Sequence, residues 1–261
     1  MTAPTPLDLN RTLIGDGPPV VVLHGLLGRA RNWLSIARAL EASYAFHLVD
    51  LRNHGASPWA DEMSYPAMAG DVAALIEGLG VGPVRVVGHS MGGKVAMTLA
   101  LSRPELVERL VVVDIAPVPY AQGYDDLIRA MLAVPLHTGQ RRADVDAALR
   151  EGIPDPALRG FLLQNLDTAD GRLAWQPNLE VLLRTMPALT GFPAELAGRT
   201  YAGTVACLRG ARSDYVDPAG EAALRGYFPA AAVAVVADAG HWPHAERPAL
   251  FQPLLAHALS R

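Results

Sequence analysis

A serine between two glycines, at the junction of a predicted strand and a predicted helix, is the residue best suited to chemistry in this chain. The sequence Gly88-His89-Ser90-Met91-Gly92 follows an apolar run at residues 84–87 and precedes a helical pattern at residues 93–100. A G-x-S-x-G turn in this context reverses a strand sharply into a helix and leaves the serine hydroxyl exposed. The two glycines lack a Cβ, so the strand and the helix can approach closely. The pattern therefore predicts that Ser90 is a nucleophile held on a strained turn.

A serine hydroxyl reacts only when a base takes its proton, and histidine is the usual base. His241 lies just past the last predicted strand, in a loop at the carboxyl end of that strand. Where a serine stands on this kind of turn, the base comes last in the chain, and His241 is therefore the predicted base. His244 follows closely, but Pro243 breaks any helix that would align the pair as metal ligands. His89 is the variable residue of the G-x-S-x-G turn. The residues expected on the surface or in helices are His137 and His257.

The oxyanion that forms when a serine attacks a carbonyl needs two fixed N–H donors. One predicted donor is the backbone N–H of Met91, the residue after the nucleophile. The second is predicted in the glycine-rich loop after the first buried strand, which reads His24-Gly25-Leu26-Leu27-Gly28. Leu26 is the preferred donor in that loop. A phosphate-binding loop is excluded because the lysine and the Ser/Thr that such a loop requires are missing.

Short apolar runs alternate with helical patterns along the chain, which is typical of an α/β protein with a mostly parallel sheet. Two weaker extended segments, Leu7–Leu9 and Thr12–Ile14, are predicted to form an antiparallel edge. Over Asp71–Leu79 the apolar residues recur at the spacing of one helix face. Six strands are predicted: Val20–Leu23, Phe46–Val49, Val84–Val87, Leu110–Val113, Val205–Leu208 and Val233–Val236.

Between two of the predicted strands, from about Pro117 to Thr200, only helical patterns appear. A helical insert cannot extend the sheet, and ligands of open α/β sheets bind beyond the carboxyl ends of the strands. We therefore expect a core domain of residues 1–116 and 201–261, with residues 117–200 inserted as a helical cap. A helical layer without contact to substrate is the alternative. The predicted helices of the insert are Tyr124–Ala133, Ala143–Glu151, Pro156–Asn165 and Asn178–Met186.

Composition narrows the classes further. The 261 residues are 51% hydrophobic and 18% charged, which favours a packed globular protein. The net charge of −4 includes no basic block, so nucleic acid is not an expected partner. No apolar stretch reaches the roughly 20 residues of a membrane span, and residues 1–6 lack the features of a signal peptide. The single cysteine, Cys207, fits a reducing compartment. A cytoplasmic location is expected. No metal or cofactor is expected, because no cluster of His, Cys, Asp and Glu has the spacing of metal ligands.

Four motifs together resemble the α/β-hydrolase superfamily, and within it they are most similar to the small bacterial YbfF-type esterases and their mitochondrial relatives. The resemblance covers nearly the whole chain outside the predicted cap. It implies an α/β-hydrolase fold, with a mostly parallel central sheet flanked by helices. It also implies cofactor-free hydrolysis of acyl esters or thioesters, with the helical cap shaping the acyl pocket. The motifs are His24-Gly25, Asp50–Ser57, Gly88–Lys94 and Gly240-His241-Trp242.

The acid that orients the histidine is where this chain departs from the common pattern of the superfamily. Most relatives carry it three residues after a glycine that follows the seventh strand, and Ser213 stands there in this chain. Asp114 ends the strand that comes after the helix following Ser90, and some members of the superfamily keep their acid there. Asp214 adjoins the common position, but a shift of one residue in an extended segment turns its side chain the other way. Asp114 is therefore preferred, and Asp214 remains the alternative.

Several neighbours of these residues are assigned supporting roles. The position of Ser213 resembles that of a fourth polar member of the site in YbfF-type enzymes, and an ordinary turn hydroxyl is the alternative. Trp242, next to His241, is predicted to line the substrate pocket or simply to pack. Asp50 is predicted to end its strand as a structural residue. The residues expected to brace the loops around the oxyanion turn are Arg52, Asn53 and His54.

Taken together, the residues predict a serine carboxylesterase that acts on short- to medium-chain acyl esters through an acyl-enzyme. Other chemistries on the same fold remain alternatives: thioester hydrolysis, carbon–carbon bond hydrolysis or a lyase reaction. A receptor that binds a small molecule in a hydrolase-like pocket, without turnover, is the alternative from another class. Fold does not determine substrate, so the acyl chain, the leaving group and the oligomeric state are left open.

Overall fold

The computed structural model describes residues 5–121, 124–169 and 171–260. The expectation that no signal peptide precedes the domain depends partly on residues 1–4, which lie outside the described residues. Within these described ranges there are nine strands: β1 Arg11–Ile14, β2 Pro19–Leu23, β3 Ala45–Val49, β4 Val84–His89, β5 Val107–Val113, β6 Leu166–Ala169, β7 Arg172–Trp175, β8 Thr204–Gly210 and β9 Ala232–Val236. The helices are α1 Leu34–Leu40, α2 Tyr65–Leu79, α3 Met91–Ser102, α4 Asp125–Ala133, α5 Arg142–Leu149, α6 Pro156–Leu163, α7 Leu179–Thr190, α8 Pro218–Tyr227, α9 Pro243–Glu246 and α10 Pro248–Ser260.

Seven of these strands form one sheet in the order β1-β3-β2-β4-β5-β8-β9. β1 runs antiparallel to β3, and the other neighbouring pairs are parallel. The carboxyl ends of the parallel strands therefore meet at one edge, where an open α/β sheet binds its ligands. The predicted α/β-hydrolase architecture and its six parallel strands are confirmed, as is the antiparallel edge strand at residues 12–14.

Side chains alternate between the two faces of the sheet, as the pleat requires. In β2, Val21 and Leu23 belong to the buried cluster that includes α2 and α3, whereas Val20 and Val22 belong to the cluster that includes α1 and α10. Because both faces of the central strands are covered, their buried parts, such as residues 20–23 and 110–113, are continuous apolar runs. The sheet is thus a rigid, buried frame for the loops at its carboxyl edge.

The turn from β4 into α3 has the strained geometry that the glycine pattern predicts. Ser90 has φ 52° and ψ −120°, a left-handed conformation that costs free energy in a residue with a Cβ. Gly88 lies against the first turn of α3, and a Cβ on it would collide with the carbonyl oxygen of Gly92. Because Gly88 has no side chain, the strand and the helix can make the sharp reversal.

Two sequence expectations about strands are wrong. The insert between β5 and β8 contains an antiparallel hairpin, β6 and β7, where the sequence predicted helices alone. Leu7–Leu9 forms no strand, because its polar backbone groups have other partners. The Leu7 N–H donates to Asp71 Oδ1 at 2.7 Å, and the neighbouring Asn10 N–H donates to Ser57 Oγ at 2.8 Å.

The insert shares one buried hydrophobic cluster with α2 and α3. Its four predicted helices are present as α4 to α7, and buried side chains such as Ile128 and Leu182 belong to that cluster. The division of the chain into a core of residues 1–116 and 201–261 and a cap of residues 117–200 stays a prediction.

Among the helices of the described residues, none has the length and apolar character to cross a membrane.

Gly88, at the end of β4 before the serine turn, gives a test of the fold. Gly88→Ala would press a methyl group into the backbone of α3, and we expect it to lower the free energy of unfolding by about 3 kcal/mol or more. Gly78→Ala is the matched control, because a Cβ at Gly78 in α2 meets nothing within 4 Å. Helix propensity should make that control neutral or more stable by up to about 1 kcal/mol. Urea unfolding measures both, and equal stabilities of the two variants would contradict the packing argument.

Candidate active site

Three residues that are far apart in the sequence form a hydrogen-bonded row at the carboxyl edge of the sheet. The Ser90 hydroxyl lies 3.0 Å from His241 Nε2, and His241 Nδ1 lies 2.7 Å from Asp114 Oδ2. Ser90 follows β4, Asp114 follows β5, and His241 lies in the loop after β9. An ionised carboxylate can accept a hydrogen bond but cannot donate one, so His241 Nδ1 carries the hydrogen. Nε2 is then free to accept a hydrogen bond from the serine hydroxyl.

Asp114 is fixed by further donors. Its side chain is fully buried, and Oδ1 accepts a hydrogen bond from the Gly210 N–H at 2.8 Å. The Ser213 hydroxyl donates to Oδ2, the same oxygen that His241 contacts. A buried carboxylate with three such donors keeps a single orientation. Ser213 is thus located beside the row, where its position relative to YbfF-type enzymes suggested.

The alternative acid is placed elsewhere. Asp214 is exposed at the surface, whereas its neighbour Ser213 points to Asp114. This is the geometry expected if one residue step in the segment after β8 turns the side chain away. Of the two carboxylates that the sequence left open, Asp114 alone contacts His241 in the described residues.

The loop after β2 is held by contacts on both sides of its tip. Leu27 has φ 57°, its N–H donates to His54 Nε2 at 3.1 Å, and its carbonyl accepts from Asn165 Nδ2 at 2.6 Å. The N–H of Leu26 has no backbone acceptor within residues 5–121, 124–169 and 171–260, and the same holds for Met91 at the first position of α3. Both N–H groups therefore remain available to a ligand beside Ser90.

The expected braces of this loop divide into two groups. His54 bonds to the loop as described, with its Nδ1–H donating to the carbonyl of Arg52 at 3.0 Å. Arg52 instead forms a buried ion pair with Asp71 of α2 at 2.7 Å. Asn53 instead accepts a hydrogen bond from the Asn178 N–H, at the start of α7. A bracing role of these two residues stays a prediction, because their contacts hold the loop after β3 to α2 and to the start of α7. Asp50 is structural as expected, since its carboxylate accepts backbone N–H groups.

The loop that carries His241 is fixed by residues that the sequence did not single out. Glu246 accepts hydrogen bonds from the N–H groups on either side of His241, Gly240 at 2.7 Å and Trp242 at 3.1 Å. His89, immediately before the serine, donates from Nε2 to the His241 carbonyl at 2.8 Å. His89 therefore connects the serine turn directly to the histidine loop. A glutamate five residues after a candidate base was a signal available in the sequence.

The histidines around the row are held neutral by burial. Burial lowers the pKa of His244 to about 3 and that of His54 to about 3, and it holds the pKa of His89 well below its usual value. His244 stacks on Trp33 with 4.3 Å between ring centroids, which is a packing contact. Across the described residues, no group of three or more His, Cys, Asp or Glu side chains is arranged to hold a metal ion.

Two cavities meet at Ser90, and both are lined partly by the insert. One contains His241 and Trp242 together with Leu158 and Phe161 of α6. The other contains Met91 and Lys94 of α3 together with Met186 and Leu189 of α7. Leu26, Ser90 and Tyr124 line both. Trp242 thus lies in the cavity on the histidine side, as predicted for a pocket residue.

Lys94 fastens the two ends of the insert to the helix after the serine. Its ammonium donates to the carbonyls of Val118, Thr190 and Gly191 at 2.8, 3.0 and 2.6 Å. The ring of Tyr120 lies 4.6 Å from Nζ. All three ammonium hydrogens are therefore used, and Lys94 is a clamp between α3 and the insert. Burial lowers the pKa of Lys94 to about 7.

Comparisons with known proteins show the family of this chain. The α/β-hydrolase fold family matches residues 18–248. The chain is 40% identical over 267 residues to the sn-1-specific diacylglycerol lipase ABHD11 of Mus musculus, covering 98% of this chain and 86% of that protein. It is 35% identical over 234 residues to esterase YbfF of Escherichia coli, covering 89% of each. A solved marine microorganism esterase superposes with a TM-score of 0.92 at 32% identity, covering 97% of this chain and 100% of that structure.

The chain belongs to the α/β-hydrolase family. Within that family it is of the YbfF type, and it is an enzyme of the carboxylic ester hydrolase class. This confirms the family resemblance of the sequence motifs.

The clamp of Lys94 predicts a pH-dependent stability. The folded-state pKa of about 7 lies below the usual lysine pKa of 10.5, so between these pH values the unfolded chain binds more protons. The lysine therefore makes the free energy of unfolding rise with pH in this window, by at most about 1.4 kcal/mol per pH unit. We expect the free energy of unfolding of the wild type, minus that of Lys94→Met, to increase from pH 7 to pH 9.

Urea unfolding at the two pH values measures this change. Thr98→Val, one turn further along α3, is the control, because Thr98 is also buried but does not titrate. Its difference from the wild type should stay constant with pH. A constant difference for Lys94→Met as well would contradict the lowered pKa.

Proposed function

We propose that the protein hydrolyses carboxylic esters by double displacement, with Ser90 as nucleophile and His241 as general base. The observation that carries this proposal is the 3.0 Å contact between Ser90 Oγ and His241 Nε2, continued by the 2.7 Å contact from Nδ1 to Asp114. His241 takes the hydroxyl proton as Ser90 attacks the acyl carbonyl. The same proton then goes to the leaving alcohol, and water repeats the cycle on the acyl-enzyme.

Asp114 is the proposed acid of this site. Its carboxylate accepts the Nδ1–H of His241, which keeps Nε2 unprotonated and facing the serine. It also stabilises the imidazolium that forms during each proton transfer. Ser213 and Gly210 supply the remaining hydrogen bonds of the carboxylate, and we assign Ser213 the role of fourth polar member. These contacts favour Asp114 over the exposed Asp214.

The N–H groups of Leu26 and Met91 are the proposed oxyanion donors. The Leu27 N–H is already bonded to His54, so the preceding N–H is the one left free at the tip of the loop. Met91 begins α3, whose first N–H groups have no acceptor within the helix. Donors that are fixed before the reaction need no reorganisation when negative charge develops on the carbonyl oxygen.

The two cavities suggest where the halves of an ester lie. The leaving-group oxygen must receive its proton from His241, so we assign the leaving group to the cavity lined by His241 and Trp242. The acyl chain then occupies the cavity lined by Lys94, Met186 and Leu189. Because buried side chains of α3 and α7 bound this cavity, we propose a preference for short to medium acyl chains. The same arrangement suits thioesters.

A reducing compartment is proposed for the protein. Its only cysteine, Cys207, is buried within β8. Burial raises the pKa of the thiol to about 12, so the residue is an apolar packing group. The cytoplasm is the proposed location on this compositional ground.

Covalent labelling tests the nucleophile. A fluorophosphonate should modify Ser90 in the wild type, because an activated serine attacks its phosphorus. Ser90→Ala should lose both labelling and ester hydrolysis, and circular dichroism should show that it remains folded. Mass spectrometry identifies the modified residue, and a label on another serine would overturn the assignment.

Amide substitutions distinguish the two candidate acids. Asp114→Asn cannot hold the working tautomer of His241, and we expect kcat to fall by about 10³–10⁴-fold. Asp214→Asn, at the exposed neighbouring position, is the matched control and should cost about tenfold or less. Ser213→Ala removes one hydrogen bond from the carboxylate, for which about 0.5–1.5 kcal/mol predicts a loss of about 2- to 13-fold. A large loss in Asp214→Asn with an active Asp114→Asn would reverse the roles.

Chain-length selectivity tests the acyl cavity. We expect soluble butyrate and hexanoate esters to be cleaved with higher kcat/KM than palmitate esters or emulsified triglycerides. Met186→Ala should extend the cavity and shift the preference toward longer chains, by about fourfold in kcat/KM for each methylene that becomes buried. Leu132→Ala, at an exposed site of α4, is the control. A panel that includes matched thioesters measures the profile, and a wild-type preference for long chains would refute the proposal.

A further inference from the structure

The imidazole of His241 has a partner on its face as well as at its two nitrogens. The ring of Tyr215 lies parallel to it, with 3.8 Å between ring centroids and 19° between planes. The other aromatic neighbours, His89 and Trp242, meet His241 at larger distances and steeper angles, 4.9 Å with 44° and 5.4 Å with 66°. Tyr215 is therefore the stacked neighbour of the base among the described residues.

The Tyr215 ring is held in this position by contacts at both ends of the residue. Its N–H donates to Ser213 Oγ at 3.3 Å, and its carbonyl accepts from the Tyr120 hydroxyl at 2.6 Å. At the far end of the ring, its hydroxyl lies 3.1 Å from the hydroxyl of Tyr124. Tyr120 and Tyr124 both belong to the segment that follows β5, so the insert fixes the orientation of the ring.

We propose that Tyr215 is a positioning residue that holds the His241 ring in plane and stabilises its protonated form through its aromatic face. This proposal rests on the proposed function, in which His241 is the base. The face of an aromatic ring carries partial negative charge and attracts a cation placed over it. The attraction is present when His241 becomes imidazolium and is absent when it is neutral. An interaction of this kind lowers the barrier because it acts after proton transfer has begun.

The charge balance around His241 leaves room for such an effect. The titratable groups in contact with its ring are Asp114, His89 and Tyr215. His244 lies behind His89, with 4.8 Å between their ring centroids, and an open surface cavity beside His241 is also lined by Tyr120, Arg212 and Asp214. Burial holds the pKa values of His89 and His244 far below neutrality, to about 3 for His244, so neither adds positive charge near pH 7. Asp114 compensates the imidazolium at one edge, and the Tyr215 face lies across its plane.

The test compares variants that keep the ring with variants that remove its face or its negative character. Tyr215→Leu should lower kcat by about 2- to 30-fold with little change in KM, the range expected for losing about 0.5–2 kcal/mol of cation–π attraction. The acid limb of kcat/KM against pH should also move to lower pH, because the imidazolium is less stable. Tyr215→Phe and Tyr124→Phe remove the same hydroxyl contact from its two sides but keep the stacked ring, and they should retain the wild-type midpoint.

A second series guards against a folding defect in Tyr215→Leu. Phenylalanine analogues carrying one, two and three fluorines at position 215 keep the shape of the ring while withdrawing electron density from its face. The acid-limb midpoint should move stepwise to lower pH along this series. A midpoint that stays constant through the fluorinated series would overturn the proposal, even if Tyr215→Leu is inactive.

NMR titration of the His241 ring separates this proposal from the esterase proposal. Histidine labelled with ¹⁵N reports the titration midpoint directly in the full chain, and His241→Gln identifies its signal. If the wild type shows no ester hydrolysis, the proposed function fails, yet a shifted midpoint in the variants still supports the stack. If hydrolysis is present but the midpoint is the same in all variants, the stacking proposal fails alone.

Discussion

The contact between Ser90 Oγ and His241 Nε2 joins two residues 151 positions apart in the sequence, and much of the structure serves to hold it. A single neutral hydrogen bond contributes only about 1 kcal/mol to stability, so it cannot by itself keep two loops in register. The serine is fixed from below by the strained turn between β4 and α3. The histidine loop is fixed by Glu246 on its own side and by His89 from the serine side. The contact is therefore a consequence of the frame around it.

Buried neutral histidines are a recurring device of this frame. His54 uses one nitrogen to accept from Leu27 in the loop after β2 and the other to donate to a carbonyl, and His89 donates to the loop that carries His241. His54 can accept a hydrogen bond at Nε2 only while it is uncharged, because both nitrogens of an imidazolium carry hydrogens. Burial ensures this by disfavouring the imidazolium form, as the low pKa values of His54 and His89 reflect. His241, the proposed base, differs from them because the Asp114 carboxylate lies in hydrogen-bonding contact with its Nδ1.

The insert is coupled to the core through polar contacts as well as through apolar packing. Lys94 reaches the carbonyls at both ends of the insert, Tyr65 of α2 donates to the Leu189 carbonyl at 2.6 Å, and Asn165 donates to the loop that carries Leu26. These partners lie next to the serine turn and the loop after β2. A change in the position of the insert would therefore reach the groups around Ser90, which makes the insert part of the site's geometry.

The sequence by itself determined the features that are local. The parallel sheet followed from apolar runs alternating with helical patterns, and the serine turn followed from five residues between a strand and a helix. His241 followed from its place after the last strand. These signals are readable because a turn or a strand is specified by residues adjacent in the chain.

Tertiary structure decided what depends on distant residues. The contact that favours Asp114 over Asp214 joins atoms 2.7 Å apart across 127 positions, and no local pattern contains it. The hairpin β6–β7 has strands of four residues, too short to be specified without their pairing, although the sequence Asp170-Gly171 between them is a turn signal. The stack of Tyr215 on His241, the clamp of Lys94 and the failure of Leu7–Leu9 to pair have the same origin. Each depends on which side chains packing brings within a few ångströms, and that is settled only when the whole sheet and its helices are in place.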